Sequence, residues 1–180
     1  MGVINLQATL RPAIRKHRCC VFADRLRDPR SKRGQWRGVA SGWLPGRLSE
    51  RGRALARELG ERRVADGLAA VFTSDLRRAL ETVELAFADS GPPVLVDWRL
   101  RECDCGAFNG AAAAHVHAKR RRHLSMPYPD GESWEQAIRR VGRFLGDLPL
   151  RWHGQRALVI GHLATRWAFD HLSTACVSKT

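Results

Sequence analysis

An apolar run near the C-terminus constrains the fold more than any other feature of the sequence. Residues 157–160 read Ala-Leu-Val-Ile and are followed directly by Gly161 and His162. Four consecutive apolar residues bounded by a glycine predict a buried central strand of a parallel sheet. Ligands bind at the carboxyl ends of such strands, so His162 is expected at a functional edge of the sheet. Taken alone, the motif better suits a strand-end histidine that only makes hydrogen bonds, and the motifs upstream reverse that preference.

Strand and helix patterns alternate over residues 38–172. The predicted elements are, in chain order, a helix capped by Ser49, a strand over 69–72, a helix capped by Asp75, a strand over 94–96, a helix within 111–123, a long helix capped by Ser133, the strand ending at His162 and a helix over 164–172. This alternation predicts an α/β fold of three layers, with a mostly parallel sheet and helices on both faces. Whether the fold is complete at its two ends stays open.

Length and charge indicate one domain with a basic N-terminal segment. A chain of 180 residues suffices for one well-buried α/β domain. We divide it into a basic, poorly organised segment over 1–37, an α/β domain over 38–172 and a tail over 173–180. The net charge of +13 suggests a nucleic-acid partner, but residues 11–37 alone hold ten of the 31 basic residues. Nucleic-acid readers usually carry their basic residues on a folded face, so this distribution weakens the case for nucleic acid.

The composition predicts a cytoplasmic globular protein. No apolar run reaches the length of a membrane span, and residues 1–10 lack the basic-then-apolar order of a signal peptide. The five cysteines form an odd set without zinc spacing, which favours reduced thiols. Cys103-Asp104-Cys105 could bind a metal, but that spacing alone is a weak signal. We therefore expect no membrane partner and no required metal or organic cofactor.

Four polar motifs follow one another at or after predicted element boundaries, and a fifth opens the first helix. The motifs are TSDLRRALET over 73–82, RLRE over 99–102, DGES over 130–133, GH over 161–162 and LSERGRA over 48–54. In this order and context they resemble the histidine phosphatase superfamily, the phosphoglycerate mutase-like enzymes. The resemblance covers residues 38–172. Each motif is loose by itself, and their shared order makes the resemblance specific.

The resemblance implies a phosphomonoester hydrolase or mutase that acts on a small phosphorylated metabolite. In such enzymes a histidine nitrogen attacks the phosphate, and water then hydrolyses the phosphohistidine. Arg78 is implied as the phosphate clamp, because a planar guanidinium can hold two oxygens at once. His162 is implied as the second histidine, which donates to a phosphoryl oxygen, and Glu102 as the general acid. The structural alternatives are a solvated helix face for Arg78 and a surface salt bridge for Glu102.

The nucleophile of the family is missing from its expected place. The family begins with a strand followed by Arg-His-Gly or a close variant, whereas here the apolar residues 21–23 are followed by Asp24 and Arg25. The one N-terminal histidine, His17, does not follow an apolar run. The glutamine usual in the opening helix is replaced by Leu55. We therefore predict a weak or inactive enzyme that can still bind phosphate.

Three explanations compete for this absence. The chain is a degenerate family member, or it uses an unrecognised nucleophile such as His17, or a shifted reading frame in GC-rich DNA produced its terminal segments. The first and third are favoured, and the arginine-rich residues 11–37 suit the third. An alternative of another class is a non-catalytic phosphate-binding or nucleic-acid-binding interaction protein on the same scaffold. The substrate, the choice between phosphatase and mutase, and the oligomeric state stay open.

Overall fold

The protein is described here by a computed structural model that covers residues 4–5, 20–22, 38–87 and 91–177. Side chains are described over 38–87 and 91–171. The predictions that residues 1–37 pack poorly and that His17 does not reach His162 fall outside the described residues. No helix within the described ranges is long and apolar enough to cross a membrane.

The described residues form five strands and five α-helices. They are β1 (Ile4–Asn5), β2 (Cys20–Phe22), α1 (Glu50–Arg63), β3 (Ala70–Thr73), α2 (Arg77–Phe87), β4 (Val94–Val96), α3 (Ala113–Lys119), α4 (Trp134–Trp152), β5 (Arg156–Gly161) and α5 (Leu163–Val177). The predicted α/β class is confirmed. Short 3-10 helices at Trp98–Leu100 and Gly106–Phe108 join β4 to α3.

The predicted central strand is β5. It pairs in parallel with β3, from Ala70 opposite Ala157 to Thr73 opposite Ile160, and β3 pairs in parallel with β4. On its other edge β5 pairs in parallel with β2 and antiparallel with β1. Residues 157–161 of β5 are all buried, which explains the continuous apolar run in the sequence.

Alternate side chains of β3 and β5 point to opposite helical layers. On one face, Val71 and Leu158 pack with Leu59 of α1 and Val83 of α2. The other face carries Phe72, whose ring meets the Phe144 ring of α4 edge-on, with centroids 5.3 Å apart. Each fully buried side chain of this size contributes about 1.5–3 kcal/mol. The three-layer prediction is therefore confirmed, and the core lies on both faces of β5.

Two of the three predicted helix caps are correct. Ser49 accepts a hydrogen bond from Gly52 N–H at 3.0 Å, and Ser133 forms a reciprocal capping box with Gln136. Helix α2 begins at Arg77, two residues after the predicted cap Asp75, whose carboxylate pairs with Arg101, with Nε and Oδ1 2.6 Å apart. This pair ties the start of α2 to the motif at 99–102.

Some predicted boundaries and core positions differ from the structure. Helix α3 covers only Ala113–Lys119 of the predicted 111–123, while α5 continues to Val177. The sequence predicts Ala54, Leu55, Leu59 and Val64 as the apolar positions of α1. Leu59 is buried as predicted and Leu55 half-buried, whereas Ala54 and Val64 are exposed and Ala56 is the other buried apolar residue of the helix. The helix is amphipathic, but sequence periodicity alone placed its buried face slightly wrongly.

Candidate functional site

His162 lies directly beyond the carboxyl end of β5 and is fully buried. Its Nε2 lies 2.8 Å from the hydroxyl oxygen of Ser74, which follows β3. Its backbone N–H donates to Thr165 Oγ1 at 3.2 Å, within the first turn of α5. Two adjacent parallel strands therefore end at the same place, and the hydroxyl after one orients the imidazole after the other.

Arg78 sits in the first turn of α2 and is also fully buried. Its Nη2 donates to the carbonyl of Gly42 at 3.0 Å, and its Nη1 donates to that of Leu44 at 3.4 Å. The neighbouring Arg77 is exposed and pairs with Glu84 across the helix surface. Arg77 thus lies on a solvated helix face, whereas Arg78 does not.

Glu102 follows the 3-10 helix at 98–100 and reaches the start of α5. Its Oε2 accepts a hydrogen bond from Leu163 N–H at 3.1 Å, and its Oε1 accepts one from Ala164 N–H at 3.0 Å. Oε1 also accepts from the N–H of Cys103 at 2.9 Å. A carboxylate at a helix N-terminus is stabilised by the unpaired amides and by the helix dipole.

The loop over 41–44 links the three predicted residues. Arg78 binds its carbonyls, and Trp43 Nε1 donates to the carbonyl of Glu102 at 2.6 Å. Glu102 in turn binds the two amides that directly follow His162. The loop therefore contacts Arg78 and Glu102, and the Glu102 carboxylate lies at the two residues that follow His162. Their roles toward a ligand are taken up below.

A buried arginine of α4, Arg140, binds the backbone of the segment over 99–102. Arg140 of α4 is 3% exposed and donates to the carbonyls of Arg99 at 2.7 Å, Arg101 at 2.9 Å and Glu102 at 3.0 Å. It also forms an ion pair with Glu132, whose carboxylate accepts the Asp104 N–H at 3.1 Å. The acidic residue of the DGES motif therefore shapes the site through Arg140.

An ion pair between Arg101 and Asp75 links the same segment to the start of α2. Arg101 donates to Asp75 and holds the pKa of that carboxyl below its ordinary value. The Arg101 guanidinium also stacks over the Trp43 ring, 4.5 Å from its centroid. Trp43 and Arg140 escaped sequence analysis because their partners are backbone carbonyls far away in sequence. Ser74 was visible only as part of a strand-end motif.

The backbone of β2 occupies the edge of the sheet next to His162. Its register places Cys20 opposite Val159 and Phe22 opposite Gly161. The strand therefore ends level with the residue before His162. In the sequence, Phe22 is followed by Ala23, Asp24 and Arg25. This strand lies within the segment predicted to be poorly organised.

A cavity of about 350 Å³ opens beside Glu102. Its walls come from residues 39–42, Glu102, α3 and Leu163, together with the buried thiols of Cys103 and Cys105. Within the described ranges no group of three or more histidine, cysteine or acidic side chains is arranged to hold a metal ion. One of the predicted site residues, Glu102, borders this cavity.

Comparison with known proteins assigns the chain to a family. The family model of the histidine phosphatase superfamily (branch 1) matches residues 33–174. A 2,3-bisphosphoglycerate-dependent phosphoglycerate mutase from a Bradyrhizobium species is 32% identical over 150 residues, which cover 74% of this chain and 72% of the mutase. The chain therefore belongs to the histidine phosphatase superfamily, and the resemblance seen in its motifs is confirmed.

Solved structures agree with this assignment. Bacillus stearothermophilus YhfR matches with a TM-score of 0.67 at 25% identity, over 82% of this chain and 76% of that one. Mycobacterial glucosyl-3-phosphoglycerate phosphatase Rv2419c, in complex with VO3, matches with a TM-score of 0.64 at 27% identity, over 74% and 72% of the two chains. Both mutases and phosphatases are therefore among the proteins that this chain resembles.

Proposed function

We propose that the chain binds the phosphoryl group of a small phosphorylated metabolite at Arg78 and His162. We also propose that the protein with this 180-residue sequence is a weak or inactive phosphatase. Glu102 stands in this proposal as the acid for the leaving oxygen. Names of relatives support the substrate class, since one is a phosphoglycerate mutase and another a glucosyl-3-phosphoglycerate phosphatase. Metal ions have no part in this proposal.

Burial and charge support the phosphate site. Arg78 is a fully buried cation that the loop over 41–44 holds at the edge where β3 and β5 end. Because a buried cation interacts strongly with an anion, this position favours phosphate over neutral ligands. His162 adds a ring nitrogen whose hydrogen-bond partner, the Ser74 hydroxyl, can act as donor or acceptor. Together these groups supply hydrogen bonds suited to phosphoryl oxygens.

The register of β2 supports the proposal that the chain hydrolyses phosphomonoesters weakly or not at all. The strand ends opposite Gly161, and no histidine occurs in the sequence between His17 and His115. His17 precedes β2 in the chain, whereas the other predicted site residues follow strand ends. A phosphoenzyme needs a nucleophile at the reacting phosphorus, and losing one member of a catalytic set removes most of the rate while leaving the pocket. Binding without turnover is the expected result.

The test measures binding and turnover on the same 180-residue protein. Orthophosphate binding, followed by calorimetry, is expected in the millimolar range, equivalent to about 4 kcal/mol. Arg78→Ala should weaken it, while Arg77→Ala, which removes the exposed neighbour, should not. Hydrolysis of p-nitrophenyl phosphate without added metal should stay close to the rate of a His162→Ala control.

Two results would contradict the proposal in different ways. Equal phosphate affinity in the wild-type protein and in Arg78→Ala would remove the assigned site. Robust hydrolysis with a trapped phosphohistidine would refute the loss of turnover, and a His17→Ala variant would then show whether His17 carries the phosphoryl group. Salt-dependent binding of nucleic acid, without phosphate binding, would favour the non-catalytic alternative.

A further inference from the structure

The motif Cys103-Asp104-Cys105 places two thiols at the cavity beside Glu102. Both cysteines line this cavity, and both carry free thiols. Cys103 is fully buried and Cys105 is 5% exposed, so the cavity is their route to small solutes. Its volume of about 350 Å³ admits a molecule such as hydrogen peroxide, which is little larger than water. The thiols are therefore accessible to a small solute although they are buried.

The backbone brings the two cysteine side chains together. Cys105 Sγ lies 3.9 Å from the carbonyl oxygen of Cys103, so its side chain turns back toward Cys103. A hydrogen bond also joins the two thiols. The Cα atoms of residues two positions apart are at most about 7 Å apart, and a disulfide needs about 4.4–6.8 Å. Joining the two sulfurs therefore requires a local adjustment of the backbone and no rearrangement of helices or strands.

The hydrogen bond between the thiols makes them chemically different. It raises the pKa of the Cys103 thiol, which donates it, and burial acts in the same direction. The same hydrogen bond lowers the pKa of the Cys105 thiol, which accepts it. Burial opposes that shift, and the positive charge of Arg120 adds to it. Because the thiolate is the form that attacks an oxidant, Cys105 is suited to react first and Cys103 to react second.

The surroundings of the two thiols differ from those of an ordinary core cysteine. Val116, Tyr128 and Trp134 pack around them, and a cysteine in apolar surroundings alone is inert. Arg120, however, lines the same cavity. Its Nε is buried and has no hydrogen-bond partner in the part of the chain that the structure describes. A cation in this position stabilises a thiolate, which favours reaction at Cys105.

We propose that Cys103 and Cys105 form a redox site, at which a peroxide that enters the cavity oxidises the two thiols to an intrachain disulfide. The contact between the two side chains and their shared access to the cavity carry this inference. It does not depend on phosphate binding at Arg78 and His162. The oxidised segment is the one that holds Glu102, because the Cys103 N–H donates to Glu102 Oε1 at 2.9 Å.

The oxidation takes place in two steps. The Cys105 thiolate first attacks one oxygen of hydrogen peroxide, so that an S–O bond forms and the O–O bond breaks. The released hydroxide takes up a proton and leaves as water. The Cys103 sulfur then attacks the Cys105 sulfur, so that the S–S bond forms and the S–O bond breaks. The hydroxide takes the Cys103 proton and leaves as a second water, and the two electrons lost by the thiols have reduced the peroxide.

The test treats the full chain with one equivalent of hydrogen peroxide, alkylates it with iodoacetamide in denaturant and digests it with trypsin. Trypsin releases both thiols in one peptide, residues 102–119, whereas Cys19, Cys20 and Cys176 lie on other peptides of the same digest. In mass spectra, the wild-type peptide should weigh two hydrogen atoms less and carry no alkyl group. Reduction with dithiothreitol before alkylation should restore two alkyl groups. Free cysteine in a parallel tube checks that the peroxide is active.

Two variants test the order of the two steps. In Cys103→Ala the second thiol is absent, so dimedone should trap Cys105 as a sulfenic acid. In Cys105→Ala, Cys103 should stay an alkylatable thiol under the same treatment. Equal trapping in the two variants would overturn the assignment of Cys105 as the attacking thiol.

The wild-type measurement alone can overturn the inference, so the test does not depend on the folding of either variant. Alkylation of both thiols after a peroxide treatment that consumes free cysteine would overturn it. A disulfide from Cys103 or Cys105 to another cysteine of the chain would also overturn it. Orthophosphate binding, measured separately, tests the proposed function and has no bearing on this result.

Discussion

At the scale of single residues, buried arginines shape the site through backbone carbonyls. Arg78 binds carbonyls of the loop over 41–44, and Arg140 binds those of residues 99, 101 and 102. A guanidinium presents several donors in one plane, so a single side chain can fix the path of a whole segment. The same residue type that could bind phosphate therefore also builds the loops around it.

We expect Arg140→Ala to be strongly destabilising. The change leaves the carbonyls of Arg99 and Arg101 without this donor, removes one of two donors from the Glu102 carbonyl, and breaks the ion pair with Glu132, in a region where Arg140 is 3% exposed. Breaking a buried pair by removing one partner costs about 3–5 kcal/mol. Urea denaturation should show this loss, with Arg139→Ala, an exposed neighbour on the same helix, within about 0.5 kcal/mol of the wild type. A small loss at Arg140 would mean that water replaces its bonds.

At the scale of elements, a glycine sets how closely α1 and α2 pack. A Cβ atom on Gly60 of α1 would lie 1.9 Å from the carbonyl oxygen of Ala86 in α2. The two helices therefore touch through backbone at this point. Because α2 carries Arg78 and α1 follows the loop over 41–44, this contact bears on the relative position of the two sides of the site.

Gly60→Ala should therefore destabilise the protein although alanine is the better helix former. Overpacking of this kind costs about 1–3 kcal/mol. Gly146 of α4 provides the matched control, because its Cβ would meet nothing within 4 Å. Gly146→Ala should stabilise by about 0.5–1 kcal/mol through helix propensity alone. Thermal unfolding of both variants checks the prediction, and shifts of the same sign would contradict the close contact.

At the scale of the whole molecule, the three-layer arrangement collects polar residues at one edge of the sheet. Residues separated by 84 positions, Arg78 and His162, come to the same edge because β3 and β5 run in parallel. Residues 11–37 hold ten of the 31 basic residues of the sequence. We expect the buried Arg78 at this edge, and not the net charge of the chain, to select the anion that binds there.

Phosphate should stabilise the folded protein as a whole. For a dissociation constant of about 1 mM, 10 mM phosphate adds about 1.4 kcal/mol, since it binds only the native state. For a domain of this length, that raises the melting temperature by about 3–5 °C. Sodium chloride at matched ionic strength should give a smaller shift, and Arg78→Ala should abolish the difference. An equal shift in that variant would place the phosphate elsewhere.

The elements that could be predicted from the sequence are those whose signals are local. The apolar run before His162 predicted β5, and Ser49 and Ser133 predicted helix starts, because caps and buried strands are encoded within a few neighbouring residues. The order of the motifs also determined the family, which residues 33–174 match. The same motif order implies Arg78, Glu102 and His162 as site residues, and their roles stay a prediction.

The contacts of those side chains are seen only in the three-dimensional structure. It distinguished buried Arg78 from exposed Arg77, although the two are adjacent and identical. In the structure Asp75 pairs with Arg101. The Arg120 guanidinium lies against the rings of Trp134 and Trp167. Each of these contacts joins residues from different elements, so its energy depends on how the layers pack. No local pattern records that packing, which is why these contacts could not be predicted from the sequence.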